Sequence, residues 1–400
     1  MNENIMSASE DPEALYDDKN LKASTLKALI SKLTCNDVEN GFIHDCLLTY
    51  RSFTTPLQFL HELTERYRNA SNEDAEMQRV VTLRVFNVLK LWIERYWYDF
   101  EKDSSGLQEG VTTFLTSTKD LPISATIKSI FERQLSGKEN ITSSEVIPPL
   151  YVPTKPTETL WEMKTNEIAR QLTMVEWNIW KLIQPWECLN LAWTRKETAK
   201  TEAPNVLAMI ERFNYVSGWV ATTICNTEKT KDRVKIMRKF INIAKDLHSI
   251  GNFNGVMEII SGLNRGPVYR LKGTTSVLAE KHKITYGHWQ ELITLTDATK
   301  SYANLRKALR EVDPPCLPYL GMYLTDINFI EDGNKNTFPG TKLINISKRR
   351  MIAETLKDIR QYQQKSYNFA EVPEIKAKLF DEQVLEDKDL YLLSNWVQPP

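Results

Sequence analysis

The chain has 400 residues, which exceeds one typical domain and favours about two or three. Its 42% hydrophobic and 26% charged residues are typical of a folded protein and exclude a disordered or fibrous one. The 51 basic and 52 acidic residues leave a net charge of −1, which argues against a global field for nucleic acid or anionic membranes, although a local patch could still exist. Protein partners or small ligands are expected instead.

Helical patterns begin soon after a polar, acidic start that lacks the features of a signal peptide. The segments "LKASTLKALISKLT" and "NGFIHDCLLTYRSF" are followed by "TTPLQFLHELTERY", in which Thr54 or Thr55 is a candidate N-cap and Pro56 lies in the first turn. Residues 80–100 are apolar on most of the helical circumference, which predicts a central helix surrounded by others. These segments predict a first helical domain at residues 18–135.

Residues 136–160 interrupt the helical pattern with four prolines, Pro148, Pro149, Pro153 and Pro156, and are predicted to be a linker. Helices resume in a second domain, residues 161–400. "TNEIARQLTMVEWNIWKLI" has a candidate cap at Thr165 or Asn166, and "DRVKIMRKFINIAKDLHSI" ends before Gly251. The apolar face of that helix consists of Val234, Met237, Ile241, Ala244 and Leu247. Since alternating patterns are scarce, the predicted fold class is all-α, with two helical domains.

The stretch "DPPCLPYLGMYLTDINFIEDGN", residues 313–334, combines an apolar helix with an acidic end. Apolar residues recur at three- and four-residue steps, so the first turns are predicted to be buried nearly all round. Glu331 and Asp332 fall where the helix dipole favours cations, and Gly333 is a candidate C′ residue. The end is either a solvated polar turn or a functional tip, and the local pattern leaves both open.

Motifs for covalent chemistry are missing from the sequence. "FPGTKL" at 338–343 contains Gly-Thr-Lys but not the earlier glycine of a phosphate-binding loop, and neither HExxH nor GxSxG occurs. The histidines are scattered, so neither a metal nor another cofactor is expected. Five cysteines without a CxxC pair are expected to be reduced core thiols. The basic run "SKRRM" at 347–351 favours a solvated helix face over a nucleic-acid patch.

Long segments of the chain resemble the Ras-family guanine-nucleotide exchange factors, with their N-terminal Ras exchanger motif domain and catalytic RasGEF domain. "EIARQLTMVE" (167–176), "NFNGVMEIISGLNRGPVYRL" (252–271), the stretch from 313 and "LINISKRRMIAETLKDIRQYQ" (343–363) resemble the catalytic domain. "LLTYRSFTTPLQFLHEL" (47–63) and residues 80–100 resemble the accessory domain. The resemblance covers most of residues 20–370 in the family's order and includes the Son-of-sevenless and Ras-GRF types.

This resemblance implies an exchanger that inserts a helical hairpin beside the nucleotide of a Ras-family small GTPase and displaces switch I, without covalent chemistry. It implies an accessory domain packed on a larger catalytic domain with a protruding hairpin. It also implies a cytoplasmic protein without a transmembrane segment, which acts near membranes through its GTPase. The tip residues would be Thr325, Asn328 and Asp332. A groove for switch II would be formed by Ile210, Met257, Asn264, Tyr269, Tyr302 and Tyr319.

Several alternatives remain open at this point. Met257 has the spacing of ordinary core as well as that of a groove residue. Many relatives have leucine or alanine at the position of Asn328 and glutamate at that of Asp332, so a GTPase-binding scaffold without exchange activity is the rival hypothesis. Resemblance to the Son-of-sevenless branch also suggests a second, distal GTPase site at Leu83 and Arg84. The identity of the GTPase and the alignment of residues 272–301 are not determined.

Overall fold

The structure, a computed structural model, describes residues 13–17, 20–101, 105–137, 145–155, 157–381 and 383–399. Within these ranges it is predominantly helical, which confirms the predicted all-α class. The strands β1 (Ala14–Asp17), β2 (Asn20–Ser24) and β3 (Ile344–Asn345) form one antiparallel sheet in the order β1-β2-β3. Ala23 pairs with Asn345 and Ser24 with Ile344, so an early strand meets a segment more than three hundred residues later.

The α-helices of the described residues follow one another through the chain. They are α1 (Leu26–Leu33), α2 (Asn40–Thr49), α3 (Pro56–Asn69), α4 (Ala75–Arg95), α5 (Tyr98–Glu101), α6 (Leu107–Ser117), α7 (Pro122–Leu135), α8 (Thr165–Trp180), α9 (Ala199–Glu202), α10 (Pro204–Cys225), α11 (Thr230–Ser249), α12 (Phe253–Leu263), α13 (Gly266–Tyr269), α14 (Lys272–Lys281), α15 (Lys283–Leu295), α16 (Thr299–Glu311), α17 (Leu320–Gly333), α18 (Ile346–Gln361), α19 (Pro373–Lys378) and α20 (Asp387–Val397). Short 3-10 segments lie at Tyr50–Ser52, Ala70–Asn72 and Pro185–Thr194.

Two compact units divide these elements. The first gathers the described parts of residues 1–142, 184–195 and 326–357, and the second those of 143–183, 196–325 and 358–400. The first unit therefore contains the distal half of α17 and most of α18 together with the N-terminal helices. The predicted boundaries at 18–135, 136–160 and 161–400 describe the chain by sequence and stay a prediction.

The long apolar helix of the first unit is shorter than predicted. α4 ends at Arg95, and residues 98–101 form the separate helix α5. The reason lies at Asp99, whose buried carboxylate accepts hydrogen bonds from Tyr50 (2.6 Å), Trp92 (2.7 Å) and Arg51 (2.6 Å). Because a buried carboxylate must be paired, the chain turns after α4 to bring Asp99 back to these donors.

The helix ends that the sequence predicted are partly correct. Thr55 caps α3, accepting from the backbone N–H of Gln58 at 3.2 Å, with Pro56 in the first turn. The cap predicted at Thr165 or Asn166 is wrong: α8 begins at Thr165, and Lys164 precedes it without a side-chain cap. Competing long-range packing can place a helix start without a capping side chain, because burial stabilises more than a cap.

The second unit is built on the packing of α8, α10, α11 and α12. The predicted apolar face of α11 is buried as expected, from Val234 to Leu247. Gly251 follows the helix with φ of +76°, a conformation that disfavours other residues, and an added Cβ would lie 3.1 Å from the Pro315 carbonyl oxygen. The glycine therefore permits a close approach between the turn after α11 and the segment that leads into α17.

The cysteines are unpaired, as predicted. Cys46, Cys188, Cys225 and Cys316 are buried, and Cys35 is half-buried. Burial raises the pKa of the Cys225 and Cys316 thiols to about 12, so they stay protonated and unreactive at neutral pH.

Candidate functional site

The first turns of α17 are buried nearly all round, as the sequence predicted. Leu320, Met322, Tyr323 and Ile327 are each at most 3% exposed, and Leu324 is also buried. A helix with such a base is held rigidly by its own apolar surface, because each buried side chain gains free energy that a solvated one would not. The base of α17 is therefore a fixed support for whatever its far end presents.

The opposite side of α17 is open to solvent and carries the three predicted tip residues. Thr325 and Asp332 are exposed and Asn328 is half-exposed. Their spacing of three and four residues places them on one side of the helix. The Thr325 hydroxyl donates to the Gly321 carbonyl at 2.8 Å, which satisfies it within the helix. The structure thus brings the three residues into one exposed stripe.

Phe329 lies in the same stripe and was missed by the sequence analysis. Its side chain is 70% exposed, one residue after Asn328 and three before Asp332. The apolar periodicity of the helix gave no warning, since an aromatic residue in such a stretch is usually buried. Local exposure of this kind could be found only from the structure.

The two acids at the end of α17 have different environments. Glu331, which the sequence placed unfavourably at the helix end, forms an ion pair of 2.5 Å with Lys348, and the two side chains are 9% and 2% exposed. Asp332 is exposed. The helix dipole therefore meets a compensated charge at Glu331, while the carboxylate of Asp332 faces solvent.

Lys348 saturates its three donors in this arrangement. Besides Glu331 it donates to the Asn334 carbonyl at 2.7 Å and to the side-chain oxygen of Asn336 at 2.9 Å. Arg349 is also buried and donates to Asn336 at 3.1 Å. The prediction of a solvated face for "SKRRM" is therefore wrong, because Lys348 and Arg349 bind the turn between α17 and α18.

The end of α17 also differs in detail from its prediction. Gly333 is the last helical residue, and its φ is not positive, so it is not a left-handed C′ residue. The side chain of Asn334 donates to the Ile330 carbonyl at 3.0 Å. This side chain and Lys348 satisfy terminal carbonyl groups, which is the task that a glycine cap would otherwise share.

Three aromatic rings form a row at the base of α17 within the second unit. The Tyr319 ring lies 5.4 Å from that of Phe213 on α10 and 5.7 Å from that of Tyr302. Burial, with Tyr302 beside it, raises the pKa of Tyr319 to about 12. Gly321 permits this position, since a Cβ there would lie 2.3 Å from the Tyr319 hydroxyl. Two predicted groove residues are thus in contact, and Phe213 joins them.

Tyr302 is held in an unusual backbone conformation. Lys300, Ser301 and Tyr302 have φ values of 52°, 53° and 61°, so α16 is regular only beyond them. Consecutive left-handed residues other than glycine are strained and persist only where the surroundings determine them. Here the strained run turns the Tyr302 side chain toward Tyr319.

Met257 is half-exposed on α12, between neighbours that are almost all buried. This exposure favours the groove interpretation over ordinary core. Among the other predicted groove residues, Ile210 on α10 is half-exposed, Asn264 is exposed and Tyr269 is 63% exposed. All four are accessible to a partner.

Buried polar groups hold α12 in place beneath Met257. The amide of Asn252 donates to Thr173 and Glu176, each at 2.9 Å, and Asn254 donates to Glu258 at 2.9 Å. Burial raises the pKa of Glu176 and raises that of Glu258 further, because the two carboxyl groups are close. The pair therefore keeps a proton at neutral pH.

The suggested distal site lies on α4 of the first unit. Leu83 is 59% exposed, and the guanidinium of Arg84 donates to the Asn36 carbonyl at 2.6 Å. In the part of the chain that the structure describes, no group of three metal-ligating side chains is found. No helix within the described ranges is long and apolar enough to cross a membrane.

Comparison with known proteins bears directly on this arrangement. Residues 167–350, which contain α17 and the start of α18, match the RasGEF domain, and residues 20–115 match the RasGEF N-terminal motif. This chain belongs to the RasGEF family. The two matches lie in the order that the sequence resemblance indicated, and they confirm it.

Curated relatives extend along nearly the whole chain. Ras guanine nucleotide exchange factor Y of Dictyostelium discoideum is 34% identical over 437 residues, which cover 95% of this chain and 29% of that protein. Ras guanine nucleotide exchange factor A of the same organism is 35% identical, with 91% and 62% covered. Protein son of sevenless of Drosophila melanogaster is 31% identical, with 87% and 24% covered. The chain thus spans less than two thirds of the length of these relatives.

Proposed function

We propose that this RasGEF-family chain is a guanine-nucleotide exchange factor. It speeds the release of GDP from a Ras-family small GTPase by inserting the hairpin of α17 and α18 beside the nucleotide, so that GTP can bind. No covalent bond is formed or broken. The protein meets its substrate at membranes through the GTPase, in the cytoplasm.

One observation carries the mechanism: of the two acids at the end of α17, one is neutralised and the other is exposed. Lys348 neutralises Glu331, whereas Asp332 faces solvent beside Asn328 and Thr325. A rigid helix that presents an uncompensated carboxylate is suited to compete with nucleotide phosphates for cationic and N–H donors. Asn328 occupies the space of the metal ion, and Asp332 engages the groups that held phosphate and metal.

The energetics of such competition are those of coupled binding. Exchange factor and nucleotide each lower the affinity of the GTPase for the other by the same factor. Acceleration of release by about 10⁵ requires a barrier lower by roughly 7 kcal/mol. Several charge-assisted contacts to phosphate and Mg²⁺, lost together, can supply that amount.

Binding of switch II is proposed for the accessible residues of the second unit. The row of Phe213, Tyr319 and Tyr302 offers an aromatic surface, and Ile210 and Met257 contribute half-exposed apolar side chains. Asn264 and Tyr269 are polar or amphipathic groups of its rim. An apolar centre with a polar rim is the usual anatomy of a protein interface.

Nucleotide release from a panel of purified GTPases tests the proposal. Each GTPase is loaded with a fluorescent GDP analogue, and release is followed with the full chain and excess unlabelled nucleotide. Accelerated release from at least one Ras-family member is expected. If the chain binds nucleotide-free GTPase but leaves release from every member at the intrinsic rate, it is the non-exchanging scaffold, for which Asn328 and the short Asp332 are the motivating residues.

A distal GTPase site at Leu83 and Arg84 is a separate proposal within the same assay. The exposed leucine supports it, and the hydrogen bond from Arg84 to Asn36 would keep the guanidinium in place. Rates that rise more steeply than a hyperbola as GTP-loaded GTPase is added are expected. A strictly hyperbolic dependence contradicts the second site.

A further inference from the structure

A cavity of about 430 Å³ opens beside α11 in the second unit and shares no residue with the proposed GTPase site. Its walls include Trp161, Ile236 and four charged residues, Asp232, Lys235, Arg238 and Lys239. The volume lies within the range of small-molecule sites, near its lower end. The cavity can hold one ring-sized ligand.

The cavity is cationic. Lys235, Arg238 and Lys239 recur at steps of three and four residues on one side of α11, against the single carboxylate of Asp232. Glu162 also lies near Lys235, but its carboxylate accepts hydrogen bonds from the backbone and hydroxyl of Thr159 at 2.8 and 2.9 Å. The excess of positive charge, concentrated at a concave surface, favours an anion.

Two of these cations are held with donors available. The Nε–H of Arg238 is buried and has no hydrogen-bond partner among the described residues. The ammonium of Lys239 donates to the carbonyls of Trp161 (3.3 Å) and Met163, and one of its three N–H groups is left over. Burial and then the neighbouring Lys235 lower the pKa of Lys239. An anion in the cavity would relieve this repulsion and satisfy the buried N–H.

The apolar wall restricts the shape of the ligand. The Trp161 ring packs edge-on against Phe240, with centroids 5.4 Å apart, and Ile236 is partly buried against the same core. An indole fixed in this way can cover the C–H face of a small ring. The cations above it match phosphate oxygens, for which an arginine fork and lysine ammonium groups are the usual ligands.

We propose that this cavity binds an inositol phosphate, either free or as the headgroup of a membrane lipid. The ring lies against Trp161 and Ile236, and its phosphates bind Arg238, Lys239 and Lys235. Although the net charge of the chain excludes a global attraction to anionic membranes, this local site would bind one specific headgroup. The proposal does not depend on exchange activity.

Binding by the full chain tests the site with two probes. One is soluble inositol 1,4,5-trisphosphate, followed by calorimetry. The other is a vesicle of phosphatidylcholine with phosphatidylinositol 4,5-bisphosphate, compared with a phosphatidylserine vesicle of equal charge. Arg238→Gln and, separately, Lys235→Gln should each weaken binding by about tenfold or more, since a hydrogen bond to a charged group is lost. The exposed Lys235 is not needed for folding, which keeps the test valid if Arg238→Gln unfolds.

Lys245→Gln is the matched control, since Lys245 is exposed on α11 and does not line the cavity. It should bind within about twofold of the unchanged chain. Binding of both probes, or of either one alone, supports the site and identifies its source as lipid headgroup, free phosphate or both. Binding to neither probe overturns it. Equal binding to phosphatidylserine vesicles, or an equal loss with Lys245→Gln, also overturns it, because non-specific attraction would then explain the result.

Discussion

Asp332 combines exposure with a position that destabilises its own helix. Replacement by alanine removes an unfavourable charge at a helix C-terminus, so the free energy of unfolding should stay constant or rise by about 0.3–1 kcal/mol. We expect Asp332→Ala, and more strongly the double change with Asn328→Ala, to slow nucleotide release at saturating protein. Affinity for nucleotide-free GTPase should change only a few-fold. Stopped-flow release and equilibrium binding measure the two quantities separately.

The conservative Asp332→Glu provides the control, because it keeps the charge and extends its reach by one methylene. It should retain exchange. If the double alanine variant releases nucleotide at the unchanged rate, the tip is a solvated turn, and the bulk of the hairpin against switch I must account for opening.

Phe329 is an aromatic residue in a polar stripe, which is the setting of an interface anchor. Because its side chain is 70% exposed, Phe329→Ala should leave the melting temperature nearly unchanged. We expect a loss of about tenfold or more in exchange efficiency at low GTPase concentration, mainly through weaker binding. Ile284→Ala on α15, where the side chain is 79% exposed, is the matched control and should have little effect. Equal efficiency of the Phe329 variant would remove it from the interface.

Glu258 makes stability depend on pH in a predictable direction. Its folded pKa is raised well above the ordinary 4.5, chiefly by burial and then by Glu176. Above pH 4.5 the unfolded carboxyl loses its proton while the folded one keeps it, so the free energy of unfolding falls as pH rises toward the folded pKa. Glu258→Gln removes this decrease, and its stability relative to the unchanged chain should increase with pH in denaturant titrations.

The same substitution at an exposed carboxyl serves as the reference. Glu280→Gln on α14 should show no comparable pH-dependent gain. If both variants follow the same curve, the Glu176–Glu258 pair does not hold a proton above pH 4.5.

At the scale of elements, the ion pair between Lys348 and Glu331 joins α18 to the end of α17. Lys348→Met leaves Glu331 buried without its partner and the Asn334 carbonyl without a donor. Breaking a buried pair in this way should cost about 3–5 kcal/mol, measured by chemical denaturation. Exchange should also fall in the folded variant, because the turn that positions Asp332 is released.

A second change separates the two causes. Adding Glu331→Gln to Lys348→Met removes the uncompensated charge, so part of the lost stability should return. Lys335→Met, at an exposed position of the same turn, should change stability by less than about 0.5 kcal/mol. A Lys348→Met variant as stable as Lys335→Met would show that the pair contributes nothing.

At the scale of the whole molecule, the N-terminal residues and the hairpin share one unit. Beyond the pairing of β2 with β3, the Lys357 ammonium lies 2.5 Å from the Asp45 carboxylate, and the Arg350 guanidinium lies 4.8 Å from the Phe42 ring centroid. These contacts come from residues 20–53, whereas α4, from which the sequence suggested a bracing surface, packs against α3 and α7. We infer that the segment before residue 135 braces the hairpin mainly through its first helices.

Removal of that segment tests the inference. A fragment beginning at Thr157 loses the partners of β3, Lys357 and Arg350, and should be poorly soluble or slow in exchange. Its hydrogen-exchange protection at residues 344–357 should fall first, since those backbone groups lose their neighbours. A soluble, fully folded fragment with the activity of the intact chain would contradict the bracing role.

The sequence by itself determined the features that depend on neighbouring residues. Periodicity predicted the apolar faces of α11 and α17, and Thr55 and Pro56 predicted the start of α3, because these signals act within a few turns of one helix. The family resemblance also followed from sequence, since it rests on residue order. The stripe of Thr325, Asn328 and Asp332 was placed correctly for the same local reason.

Tertiary structure alone decided which groups are paired and which are exposed. The partner of Glu331 lies seventeen residues away at Lys348, and the donors to Asp99 include Tyr50 and Arg51, forty-nine and forty-eight residues earlier. Only these contacts show that "SKRRM" is buried, that the helix predicted over 80–100 breaks, and that Phe329 is exposed. Burial and charge compensation depend on residues distant in sequence, so a local pattern can indicate the face of a helix but not what covers it.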